Sequence, residues 1–165
     1  MKKIVLLVIT LFLLSGCVEN DVGNDLYDKY DNMIAEAKNS EYYEESSAYF
    51  DISLDIADNS AGNYRFYIII DNSSIAMYDI EAVAVEKDED YSNKMAACIG
   101  IFEDLEYSMV PGQVNIDNGY MKGMSISGLT TNPSPVIYLL IQWKNSSRKE
   151  TYKHYYKLDF ANIGA

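Results

Sequence analysis

The sequence predicts a mainly β protein, an antiparallel β-sandwich preceded by one helix. Three observations lead there. Residues 49–57, YFDISLDIA, alternate strictly between apolar and polar side chains, which suits a strand with one face buried and one in water. From there to residue 160, runs rich in Ile, Val, Tyr and Phe recur at short intervals, separated by DNSAGN, NSS and KNSSRKE, whose residues favour turns. Only residues 24–38 carry a helical period, with Leu26, Tyr30, Met33 or Ile34, and Ala37 recurring among acids and lysines.

A helix is expected over 25–38, capped by Asn24, with Asp25 and Asp28 at the positive end of its dipole. It serves as a spacer or packs beside the sandwich, and NSEYYEESS (39–47) breaks it. In the strand at 49–57, Phe50, Ile52, Leu54 and Ile56 take one face, and Asp51, Ser53 and Asp55 the other. YRFYIIID (64–71) is more apolar throughout, as a central strand should be. IAMYDIEAVAVE (75–86) reads as a strand, although its alanines and Glu81 also suit a helix. MAACIGIFE (95–103) and QVNID (113–117) are strand candidates around VPG, and YMKGMSISGLT (120–130) alternates loosely. The two prolines of TNPSP cannot donate hydrogen bonds and mark a connection. VIYLLIQW (136–143) is nearly all apolar. The last strand, 151–160, sets Tyr152, His154, Tyr156, Leu158 and Phe160 on one face.

The N-terminus carries a different kind of information. Met1-Lys2-Lys3 precedes eleven uncharged residues, Ile4 to Leu14, the basic and apolar regions of an export signal. The run is shorter than the roughly 20 residues a transmembrane helix needs. Leu14-Ser15-Gly16-Cys17 resembles the lipobox of bacterial lipoproteins. The resemblance implies diacylglycerol transfer to the Cys17 thiol, cleavage before Cys17, and a protein held at the cell membrane, facing away from the cytoplasm; where an outer membrane exists, that membrane is a second address. It divides the chain into a signal peptide (1–16), a lipid tether with the helix (17–47) and a β-sandwich domain (48–163). The sandwich is similar in general style to immunoglobulin-like and fibronectin-like modules of bacterial surface lipoproteins, though without the Cys…Trp…Cys spacing.

Charge and composition exclude several functions. Removing residues 1–16 from the 165-residue chain leaves 149 residues, with eleven basic against 25 acidic. A balance of −14 disfavours nucleic acid as a partner. With Cys17 carrying lipid, Cys98 is left alone, so no intramolecular disulfide forms and the fold relies on its core. Cys98 is expected to pack as a small hydrophobe. His154, the one histidine, is expected to be a hydrogen-bonded packing residue; pairs with Cys98 or a serine remain open as rival readings. Asp88-Glu89-Asp90 and Glu103-Asp104-Glu106 could offer oxygen to calcium, but lack EF-hand spacing and its glycine, so solvated loops are expected. No phosphate loop or dinucleotide fingerprint occurs. No cofactor, metal or catalytic residue is assigned.

One asymmetry suggests a contact surface. Residues 144–157 hold five basic residues and one acid, whereas 17–60 hold twelve acids and two lysines. If Leu158 and Phe160 face the core, Lys153, Tyr155 and Lys157 line the outer face of the last strand. That stripe suits an acidic partner, a wall polymer or lipid headgroups; edge-strand protection explains the same lysines. The expected function is a non-enzymatic, lipid-anchored module that binds a protein or surface polymer. The alternative is a small-ligand- or glycan-binding lipoprotein, or a hydrolase the sequence does not advertise.

Overall fold

The structure is a computed structural model that describes residues 22–60 and 62–163. The expected signal peptide, Cys17 and the expected tether up to residue 21 lie outside the described residues. Helix α1 (Val22–Asn39) is followed by β1 (Asp51–Asp58), β2 (Tyr64–Asp71), β3 (Tyr78–Glu86), β4 (Ala97–Ile99), β5 (Gly123–Thr130), β6 (Val136–Lys144), β7 (Thr151–Asp159) and a terminal turn of helix, α2 (Phe160–Ile163). The strands form two antiparallel sheets, ordered β1-β2-β5 and β4-β3-β6-β7. The chain is therefore mainly β with one N-terminal helix of substantial length.

Strand periodicity explains how both sheets feed one core. The inward set Phe50, Leu54, Phe66, Ile68, Ile70, Met124 and Ile126 comes from the three-stranded sheet and its lead-in. It packs in one buried cluster with Ile80, Ala82, Ala84, Ile137, Leu139, Ile141, Trp143, Tyr156 and Leu158 of the four-stranded sheet. The opposite face of that second sheet is also dry. Val83, Val85 and Leu140 point away from the first cluster and meet Tyr30, Met33 and Ala37 of α1, joined by Ala96 and Ile101. A strand buried on both faces has no polar alternation to keep, which explains why 75–86 reads ambiguously as sequence. Its Glu81 survives there because Lys29 of α1 pairs with it and Gln142 Nε2 donates to it at 2.6 Å.

The helix lies parallel to β3. Lys29 meets Glu81 near the start of the strand, and Lys38 donates to the Glu89 carbonyl just past its end. Tyr30 links the helix to β4: its hydroxyl accepts the Ala96 N–H at 2.5 Å, inside a buried site.

Two expectations at 95–117 are corrected. Only Ala97–Ile99 of 95–103 forms a strand. Gly100 ends it at φ +78°, where a Cβ would stand 2.0 Å from the Ile80 carbonyl oxygen. Residues 113–117 are not a strand. Gln113 N–H closes a turn onto Val110 O, and Ile116–Asn118 form a single 3-10 turn ended by Gly119 at φ 76°. Val114 and Ile116, the apolar residues of that stretch, both stand in solvent.

Candidate functional site

The outer face of the three-stranded sheet is the candidate site, because the corresponding face of its partner is taken by α1. Register builds it row by row. Ser53, Ile69 and Ser125 stand abreast, then Asp55, Tyr67 and Ser127, then Ala57, Arg65 and Leu129. Short side chains on the outer strands leave the central Tyr67 and Ile69 half-buried at the bottom of a shallow groove of about 520 Å³. Asp71 and Lys122 close one end of it. Gly123 pairs with Asp71 there, and a Cβ on it would come within 2.8 Å of the aspartate Cβ, so a larger residue would displace the groove wall.

Several carboxylates away from this face have internal partners: Glu36 takes Lys153, Glu44 takes His154, and Asp79 takes Lys144 and Arg148. Asp55, Asp71, Arg65 and Lys122 make no ion pair among the described residues, while Asp51 accepts a hydrogen bond from Asn72 Nδ2 at 2.8 Å. A phenol ring beside uncommitted carboxylates and serine hydroxyls can stack on and hydrogen-bond a polar polymer or an extended peptide.

The stripe on β7 is placed differently from what its sequence suggested. Lys153, Tyr155 and Lys157 do point away from Tyr156 and Leu158, but that side faces α1. Lys153 Nζ donates to Glu36 Oε2 at 2.6 Å, and the Tyr155 hydroxyl donates to the same oxygen at 3.0 Å. Burial opposes the Glu36 charge, yet these two hydrogen bonds and the lysine charge outweigh it and hold the carboxyl below its usual range. Burial pushes Tyr155 up to about 12, and its bond to Glu36 adds to that. Lys157 stays exposed. The strand edge beyond it is covered as well: Glu44 N–H donates to Tyr155 O, and Lys157 N–H donates to Glu44 O. Two backbone bonds thus occupy an edge that would otherwise accept another strand.

His154 is a packing residue, as expected. Its ring stacks on Trp143 at 4.9 Å, and Nδ1 lies 2.7 Å from Glu44 Oε1. The sheet order sets β3 and β6 between Cys98 on β4 and His154 on β7, a lateral span of about 14 Å at the usual strand spacing. The pair cannot act together. Burial pushes the Cys98 thiol up to about 11, with Glu103 adding to the effect; a thiol so protonated is a poor nucleophile. No group of three or more His, Cys, Asp or Glu suited to a metal ion occurs among the described residues.

A second hollow, about 380 Å³, lies between Tyr49, Ile75, Trp143, Asn145 and Tyr152. Trp143 is 1% exposed and its indole Nε1 has no hydrogen-bond partner among the described residues. Sequence reasoning missed both sites, because each is assembled from strands far apart in the chain.

No family model, no curated protein and no solved structure matches the chain. Its function therefore has to be argued from its own geometry.

Proposed function

We propose that the protein is a lipid-anchored, exported, non-enzymatic binding module built as an immunoglobulin-like β-sandwich, and that its contact surface is the outer face of the three-stranded sheet. The sandwich reading is supported by seven antiparallel strands split three and four, with inward residues of both sheets in one cluster. The anchor reading rests on the lipobox-like Leu14-Ser15-Gly16-Cys17. One observation supports the contact surface above all: α1 covers the four-stranded sheet, leaving the Tyr67 face open with its charges unspent. The ligand class it suits is a surface polymer or an extended protein segment.

Two experiments test this. Palmitate labelling of the full chain is expected to be lost in Cys17→Ser, with release from the membrane fraction; retained label in that variant defeats the anchor. Isolated wall polymer is expected to co-sediment with the protein, and Tyr67→Ala with Asp55→Asn to abolish binding while circular dichroism shows the fold retained. Binding unchanged in that pair defeats the contact surface. The Trp143 hollow supports a second reading, a small-ligand-binding lipoprotein. Saturable binding of one metabolite with a shift in tryptophan fluorescence would favour it.

A further inference from the structure

Exposed apolar residues gather at the end of the domain where the tether enters. Tyr27, on the second turn of α1, packs its ring 5.1 Å from Phe102. Three residues on, Leu105 lies against Gly119, the residue that ends the 3-10 turn beginning at Ile116. Tyr27, Val114 and Ile116 are 56%, 60% and 64% exposed, and Leu105 is exposed beside them. Loop 100–119 contains no lysine or arginine and four acids, Glu103, Asp104, Glu106 and Asp117.

Chain length limits how far this end can stand from a membrane. Tyr27 lies about 7.5 Å along the helix from Val22. From Val22 back to Cys17 is five residues, at most about 18 Å when fully extended. On the anchor reading, Tyr27 therefore stays within about 25 Å of Cys17.

We infer that this end of the domain docks on the bilayer that carries the anchor, with Val114 and Ile116 entering the headgroup layer and Tyr27 and Leu105 at its rim. The inference rests on the proposed anchor for its geometry. Charge adds little attraction to anionic lipid: Arg148 at this end is already paired with Glu106 and Asp79, and Lys122, which lines a hollow with Val114, is outnumbered by the loop's four acids, so docking relies on apolar contact and favours neutral zwitterionic headgroups over anionic ones. The bound domain then stands on loop 100–119.

The test separates docking from lipidation. Residues 17–165 with Cys17→Ser are tethered by an N-terminal histidine tag to nickel-chelating lipid in zwitterionic vesicles containing brominated acyl chains. Ile116→Trp is expected to be quenched by the bromines. Leu129→Trp, at the opposite end of the sheets and 55% exposed, is expected to be unaffected. Adding Val114→Ser to Ile116→Trp should shift the docked population about tenfold toward the free one. Anionic lipid in the mixture should lessen the quenching, and salt should restore it. Equal quenching at both positions, or none at 116, overturns docking whatever the palmitate result. Dimerisation without vesicles that shields position 116 also overturns it, assigning the patch to a second copy of the chain. Failed palmitate labelling with intact quenching would remove the anchor and leave docking standing.

Discussion

Tyr30→Phe tests whether the helix is part of the folded body. The substitution keeps the ring in the Met33, Ala37 and Phe102 environment and removes one oxygen. That oxygen accepts the Ala96 N–H at 2.5 Å in a site where Tyr30 is 4% exposed and Ala96 3%. The variant leaves a buried amide with no acceptor, which costs about 1–3 kcal/mol. Burial also raises the phenol's pKa, against the opposing effect of the Ala96 backbone bond, so the hydroxyl is neutral throughout the working range and no charge effect obscures the result. In a chain of this size each kcal/mol moves the melting point by about 2–4 °C. Urea unfolding followed by circular dichroism should show the midpoint fall with an unchanged slope, and hydrogen exchange at Ala96 should accelerate. Tyr27→Phe, which keeps the ring against Phe102 and removes a hydroxyl with no hydrogen bond among the described residues, is the control and should be neutral. A Tyr30→Phe loss below about 0.5 kcal/mol, within the range of surface substitutions, would refute the docked helix and restore the spacer reading.

Further expectations follow from single sites. Gly100→Ala should destabilise by at least about 1–2 kcal/mol from its left-handed backbone alone, and by more because the Ile80 carbonyl must move; thermal melting measures it, and a neutral result would contradict the close approach of the β4 end to Ile80. Burial lifts Glu86 above the usual carboxylate range, against a hydrogen bond with Thr130 and reinforced by Glu89. Its folded form holds the proton more tightly than its unfolded form, so its contribution declines as pH rises from the unfolded value through the folded one. Glu86→Gln should therefore gain on the parent as pH rises above the unfolded carboxylate value of about 4.3, and parallel stability curves would contradict the assignment. In Cys17→Ser protein, Cys98 should react with a disulfide reagent at pH 8.5 about a hundredfold more slowly when folded than when unfolded; equal rates would show the thiol to be open.

Strand β2 was legible to the residue at both ends, and α1 and β6 nearly so, because each has a burial pattern that repeats along one element. β1 was legible for the same reason: Leu54 is buried while Asp51, Ser53 and Asp55 stand in water. What failed depends on contacts between distant residues. Val114 and Ile116 alternate like a strand, but have no neighbouring strand to pair with and turn at Gly119. Lys153 and Tyr155 form an outward stripe in isolation, and only the folded chain brings Glu36, more than a hundred residues earlier, onto them. The Tyr67 groove was invisible for that reason too, since its floor and walls come from β1, β2 and β5.

The parallel course of α1 and β3 has a mechanical consequence. A pull on residue 22 along the helix axis would load Lys29–Glu81, Tyr30–Ala96, Glu36–Lys153 and Lys38–Glu89 together. Contacts strained side by side share the load, whereas contacts opened one after another each meet it alone. An anchored domain whose ligand is dragged away from the surface would thus be stretched in shear, and its first helix would act as a clamp that resists being peeled from the sheet.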